Sequence, residues 1–285
     1  MTLDGAIDWP AWDRLLDFHM DEGTDGIVVA GTTGESPALT LAEIEDLTRR
    51  AVARCAGRVK VVVGAGTHAT ASTILRTRTL SMLGVDAVML VTPYYNKPPQ
   101  EGLYRHFSAA ADASAVPVIL YNVPSRTAVD LLPATVARLA RHPRIVAVKE
   151  ATAAPARARE LVAALPADFA VLSGDDAHAV EFMSAGARGV ISVTANVAPR
   201  RMHEACMAAL GGDLARARAI DADLQPLHND LFVEASPIPV KWAVARMGLI
   251  GNAIRLPLVE LAAAHQDVVV RAMRTAGIIL EDQAA

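Results

Sequence analysis

The stretch RIVAVKEAT, residues 144–152, sets four apolar residues in a row, Ile145 to Val148, and then a lysine, Lys149. An unbroken run of this kind reads as a strand buried on both faces of a parallel sheet, because a half-exposed strand would alternate with polar residues. Six other runs share its character: GIVVAG from Gly26, VKVVVGAG from Val59, DAVMLVTP from Asp86, VPVILYNVP from Val116, FAVLSGDD from Phe169 and GVISVTANV from Gly189. Amphipathic segments of helical period separate them. In TLAEIEDLTRRAVARC, Thr40 and Glu43 suit a capping box, and Leu41, Ile44, Leu47 and Ala51 share one face.

The seven runs start 33, 27, 30, 29, 24 and 20 residues apart, which is the rhythm of repeated β-α units. The expected fold is α/β: a (β/α)₈ TIM barrel over residues 1–212, with a C-terminal helical appendage over 213–285, where strand patterns have stopped after Gly211-Gly212. The competing architecture is an open doubly wound sheet, encouraged by GAGTHA at Gly64 to Ala69, a literal dinucleotide-binding fingerprint after a strand. Asp86, the acidic residue about 20 positions on, opens the next strand instead of closing it and so is misplaced for a ribose. Seven strands leave a barrel one short. The chain opens with a helix-like DWPAWDRLLDFHMDEG, so the first barrel strand is expected to be absent from this chain, with Met1 an internal methionine of a longer reading frame.

A formal net charge of -4 without a run of like charge offers no basic field to nucleic acid or to a membrane surface. There is no apolar stretch of membrane-spanning length, and the first residues are acidic where a secretory leader is basic. Cys55 and Cys206 are the two cysteines, far apart and in helical contexts, so neither a disulfide framework nor a thiolate metal site is expected. The eight histidines lack metal-ligand spacing. The expectation is a soluble, cytoplasmic protein with no metal and no cofactor.

In a β/α barrel the active site forms at the C-terminal ends of the strands. Those ends carry Thr32 and Thr33 in AGTTGES, Tyr94 and Tyr95 in TPYYNKP, Tyr121 in LYNVPSRT, Lys149 in AVKEAT, and Gly174 with Asp175 in LSGDD. Only four of the 27 basic residues are lysines, which narrows any amine chemistry to Lys60, Lys97, Lys149 and Lys241. Lys60 begins a strand, at the opposite end of a barrel; Lys97 lies in a loop and Lys241 on a late helix. An amine at an apolar barrel mouth loses the hydration of its ammonium form, which favours the nucleophilic amine that converts a ketone to an imine. The ordinary alternative is a solvated lysine where a strand leaves the core. Tyr121, one strand over, has a phenol hydroxyl suited to the proton transfers that imine chemistry needs; alone it would read as a barrel-lining tyrosine. GTTGES lacks the lysine of a phosphate loop, so a carboxylate is its better guest, although a tight β-α turn with Gly31 and Gly34 would look the same. Arg126 suits a second carboxylate, or a surface ion pair.

In this order and spacing, GTTGES, TPYYNKP, LYNVPSRT, AVKEAT, LSGDD, GVISVTANVA and SPIPVKW resemble the dihydrodipicolinate synthase family of the pyruvate-dependent class I aldolases, from about Asp4 to the C-terminus. The resemblance implies condensation of pyruvate with L-aspartate 4-semialdehyde, on the diaminopimelate route to lysine. Lys149 would form the Schiff base and Tyr121 would relay protons. Thr32 would link Tyr121 to Tyr95, which would reach into the neighbouring subunit of a homo-oligomer, dimer or tetramer. Thr33 would hold the pyruvate carboxylate, Arg126 the semialdehyde carboxylate, and Gly174 and Ile191 would line the pocket by backbone. Sister families, N-acetylneuraminate lyase and the keto-deoxy-sugar-acid aldolases, share the lysine, the tyrosine and the turn; Arg126 favours a short substrate with its own carboxylate. A non-catalytic pyruvate-binding relative is the reading from another class. Lysine-inhibited members carry histidines and a glutamate where Leu41, Ile44 and Ser72 stand, which implies weak feedback.

Overall fold

In the computed structural model, residues 1–279 are described. Helix α1 (Trp9–Asp21) leads into β1 (Gly26–Val29), and then strands and helices alternate: α2 (Leu41–Cys55), β2 (Lys60–Gly64), α3 (Thr70–Ser81), β3 (Ala87–Val91), α4 (Gln100–Asp112), β4 (Val118–Asn122), α5 (Pro124–Thr127), α6 (Pro133–Leu139), β5 (Ile145–Glu150), α7 (Pro155–Ala164) and β6 (Ala170–Ser173). All neighbouring strands pair in parallel, and their order in the sheet is their order in the chain.

Strand side chains alternate between two sides, and the alternation divides the core in two. Val29, Val63, Leu90, Leu120 and Val148 point outward into the large core shared with the helices. Met89, Ile119, Tyr121 and Ala147 point inward into a smaller cluster, against which Val28 of β1 and Ile191 beyond β6 both pack. Residues from the two ends of the sheet reach one cluster only if the sheet wraps round. Both faces are covered along β4 and almost all of β3, whereas Val28, Val62 and Leu172 on the inner side are half-buried and Val146 of β5 is exposed, so unbroken apolarity overstates burial there.

The GVISVTANV run departs from expectation. It makes a single parallel bridge, Ser173 to Val190, so the sheet has six strands among the described residues, where seven were expected. Gly189 takes φ +148 and breaks the extended path. Beyond it, the Asp176 carboxylate accepts from Val193 N and Thr194 N at 2.8 and 3.0 Å, and Ser192 Oγ accepts from Ala195 N at 2.8 Å. Backbone donors that a ladder would use are taken by side chains, and a 3₁₀ turn over Thr194–Asn196 follows.

The dinucleotide fingerprint is resolved by close packing. A Cβ on Gly64 would lie 2.2 Å from Ala30 O, and one on Gly66 would lie 2.4 Å from Val91 N. These glycines admit neighbouring backbone, while Asp86 binds Lys60 Nζ and Val61 N at the opposite end of the strands. The capping box of α2 forms as the sequence predicts, with Thr40 and Glu43 bonded reciprocally.

After β6 the chain is helical: α8 (Ala179–Ser184), α9 (Pro199–Leu210), α10 (Leu214–Asp230), α11 (Ile238–Arg246) and α12 (Ala263–Thr275). Val197, Leu224, Leu227, Trp242 and Val269 centre a second apolar core there. Among the described residues, no helix is long and apolar enough to cross a membrane.

His106 of α4 is buried against Thr70, whose Oγ1 lies 2.9 Å from its Nδ1, while Nε2 has no hydrogen-bond partner among the described residues. Burial pulls its pKa down to about 4. The unfolded chain binds this proton from about pH 6.5 downward and the native state resists it until about pH 4, so stability is full above 6.5 and is lost between those values. We expect Tm to fall across this window, and to fall less steeply in His106→Gln, measured by thermal denaturation at closely spaced pH.

Candidate active site

Lys149 owes its placement to strand parity. Ala147 faces the inner cluster and Val148 the outer core, so Lys149, two residues after Ala147, faces inward. It is buried, 9% exposed, and its Nζ stands 4.4 Å from the centroid of the Tyr121 ring. Tyr121 is its register partner at the end of β4 and is equally buried. Among the described residues no carboxylate forms an ion pair with Lys149. The other lysines are engaged or exposed: Lys60 pairs with Asp86 at 2.8 Å, Lys241 pairs with Glu35, and Lys97 is exposed in its loop.

Space for the amine is made by Gly174. A Cβ there would meet Lys149 Cε at 3.0 Å, Lys149 Cγ at 3.1 Å and Ala151 Cβ at 2.7 Å. The residue is held in place by its own N–H, which donates to Glu150 O at 2.7 Å. A methyl group must therefore push the lysine stem, and about 1 Å of misplacement of a reacting group costs on the order of 100-fold in rate. Gly174→Ala is expected to slow carbonyl capture by Lys149 by about 10- to 100-fold, read as the rate of borohydride-trapped imine with a small 2-keto acid, with an unchanged circular dichroism spectrum.

The turn after β1 supplies Thr32 and Thr33. Gly34 N and Ser36 N both donate to Gly31 O, and Glu35 N donates to Thr32 O, a compact knot whose two threonines line the cavity. Arg126, on the short helix α5, lines the same cavity and donates from Nη2 to Ser236 O at 3.3 Å. Ile191 also lines it, its N–H donating to Ser173 O at 2.9 Å. The cavity measures about 540 Å³ and runs from the strand ends along the side between β1 and the Val190 bridge. Among the described residues no group of histidine, cysteine, aspartate and glutamate side chains is placed to hold a metal ion.

Seven of the eight site residues expected from sequence line this cavity; Tyr95 does not. It is 92% exposed with φ +73, on a loop where Tyr94 packs edge-on against His68. No hydrogen bond joins Thr32 to Tyr121 or to Tyr95 among the described residues. The Thr32 relay is therefore not assembled within one chain.

One anchoring arrangement was missed by sequence reasoning. Glu35, at the end of GTTGES, is buried in the left-handed conformation and accepts from Lys241 Nζ and, at 2.9 Å, from Arg255 N. Lys241 also donates to Ala253 O at 2.9 Å. Arg255 goes on to Gly5 O, Ala38 O and the Glu43 carboxylate, which it holds down at about 2. Helix α11 and the loop that follows it thus fasten the turn that carries Thr32 and Thr33. The available signal was the rarity of lysine: Lys241 and Glu35 each stand in a motif, but are 206 positions apart.

Residues 1–276 match the model of the dihydrodipicolinate synthetase family. The chain is 54% identical to the 4-hydroxy-tetrahydrodipicolinate synthase of Methylococcus capsulatus over 98% of its own length and 96% of that protein's. Its fold superposes with a TM-score of 0.96 on the chloride-inhibited dihydrodipicolinate synthase of Acinetobacter baumannii in complex with pyruvate, at 46% identity, covering 98% of this chain and 96% of that one. The dihydrodipicolinate synthase of Aquifex aeolicus is similar at a TM-score of 0.95 and 43% identity, with 98% and 96% covered.

Proposed function

Since the chain belongs to the dihydrodipicolinate synthetase family, we propose that its cavity condenses pyruvate with L-aspartate 4-semialdehyde through an imine on Lys149. The activity is that of a 4-hydroxy-tetrahydrodipicolinate synthase, a lyase of lysine and diaminopimelate biosynthesis. The observation that carries the residue assignment is the Lys149–Tyr121 pair: an amine 4.4 Å from a phenol ring, on register-paired strand ends, inside a cavity.

Lys149 Nζ attacks C2 of pyruvate, and the carbinolamine loses water to give a protonated imine. Loss of a proton from C3 gives an enamine, with the imine nitrogen taking up the electron pair. C3 then attacks the aldehyde carbon, whose oxygen takes a proton to become a hydroxyl. The semialdehyde amine adds to C2, closes the ring and expels Lys149. Tyr121 moves the protons in these steps. Thr33 holds the pyruvate carboxylate at the turn after β1, Arg126 holds the semialdehyde carboxylate, and the backbone at Gly174 and Ile191 lines the pocket.

We take the wrapped six-strand sheet as most of a (β/α)₈ barrel, residues 1–212 as its catalytic unit, and 213–285 as an appendage whose last six residues lie outside the described ones. The exposed Tyr95 suits a partner subunit's site in a homo-oligomer, where Thr32 would bridge it to Tyr121. A cytoplasmic location fits lysine biosynthesis. Ile44 is fully buried and Leu41 and Ser72 bear no charge, so weak feedback by lysine is the expectation.

Activity assays with aspartate semialdehyde and pyruvate, run against cleavage of N-acetylneuraminate and of keto-deoxy sugar acids, test the reading. Turnover in the first alone supports it; turnover in the others alone overturns it. Arg126→Ala is expected to lower kcat/KM for the semialdehyde by roughly 10- to 100-fold, the worth of a charge-assisted hydrogen bond of about 1.5–3 kcal/mol, with little change in KM for pyruvate.

A further inference from the structure

Immediately after Tyr121 and Lys149, on the outer side of the same strand ends, lies a second cross-strand pair. Asn122 and Glu150 are register partners, and neither is exposed. Asn122 Nδ2 gives one hydrogen to Asp130 Oδ1 at 2.7 Å and the other to the Glu150 carboxylate at 3.0 Å, while its Oδ1 accepts from Leu131 N at 2.9 Å. The opposite amide orientation would aim a carbonyl oxygen at two carboxylates and an NH₂ at an N–H, so its sense is forced. Arg157 of α7 clamps Asp130 through two hydrogen bonds, at 2.7 and 3.1 Å, and approaches Glu150 at 3.7 Å. Thr152 N donates to Glu150 Oε1 at 2.9 Å. Burial pushes the Glu150 carboxyl up from its ordinary range, against the pull of Asn122 and Arg157.

None of these four side chains lines the cavity. An apolar pair would hold two strands together without burying a carboxylate, and buried ionic networks are often replaceable on stability grounds alone. What directed hydrogen bonds add is a single register. A slip of β5 by one residue against β4 would turn Glu150 into the cavity and Lys149 out of it, leaving Tyr121 without its partner.

We infer that Asn122, Glu150, Asp130 and Arg157 are positioning residues, whose buried network locks β4 against β5 so that Tyr121 and Lys149 meet across the cavity in reacting geometry. The inference rests on the imine reading above. It continues through the backbone, since Ala151 N donates to Asn122 O and Gly174 N to Glu150 O, so the network also reaches the glycine that makes room for the lysine stem.

The test compares turnover and borohydride-trapped imine in wild type, Asn122→Ala, Asn122→Asp, Glu150→Gln and the exchange Asn122→Asp/Glu150→Gln, each well below its own Tm. Asn122→Ala is expected to lose about 10- to 100-fold in kcat and trapping rate, with KM for pyruvate little changed. Asn122→Asp sets a third carboxylate against two others and is expected to lose more, while the exchange restores a donor and an acceptor across the strands and recovers the part of the loss owed to Glu150, a carboxylate at 122 still facing Asp130. If Asn122→Asp does not fold, Glu150→Gln, close in shape, supplies the comparison, with the same fall in kcat at unchanged KM expected. Wild-type kcat and trapping in folded Asn122→Ala or Glu150→Gln, or an exchange variant no better than a folded Asn122→Asp, overturns the inference. Failure of the wild type to trap pyruvate on Lys149 would instead remove the imine reading, and this inference with it.

Discussion

Lys149→Ala is expected to abolish the pyruvate adduct and lower kcat by on the order of 10⁴-fold or more, the scale seen when a covalent nucleophile is removed. The other lysines offer no substitute: Lys60 lies at the opposite end of the strands, Lys241 is tied to Glu35 and Ala253, and Lys97 is exposed in its loop. Lys149 makes no ion pair among the described residues, so its loss strands no buried partner charge. Tm is therefore expected to stay close to wild type while turnover disappears, and a large fall in both would point to a structural lysine.

Tyr121→Phe is expected to lower kcat by about 10²- to 10⁴-fold, the range for loss of a general acid–base group. Phenylalanine keeps the ring that Lys149 faces at 4.4 Å and fills the same place in the inner cluster. Pyruvate binding and the fold should survive. Proton transfer should not: imine formation slows, and the hydroxyl's contribution separates from the ring's because the variant removes one atom only. Equal rates in the variant would assign the proton transfers to another group.

Much of this was legible along the chain because parallel β-α units announce themselves. The IVAVK run became β5, and parity alone aimed Lys149 inward. The Thr40–Glu43 cap was legible because both partners lie within one helical turn. The GVISVTANV run misled because hydrophobicity does not say where backbone donors go, and there Asp176 and Ser192 took them. Tyr95 is expected by resemblance in the site of a neighbouring subunit, and within one chain it is exposed. The Lys241–Glu35 anchor needed contact information across the whole fold. Asn122 and Glu150 were closer to hand: each follows a candidate site residue by one, and strand alternation would have set them back to back with the pair they support.

The central claim, that Lys149 is the amine that captures pyruvate, is tested most directly by borohydride reduction of the protein in the presence of pyruvate, followed by peptide mass mapping. The account predicts one reduced pyruvate adduct, on the peptide containing Lys149. No adduct, or an adduct on Lys60, Lys97 or Lys241 instead, would contradict it.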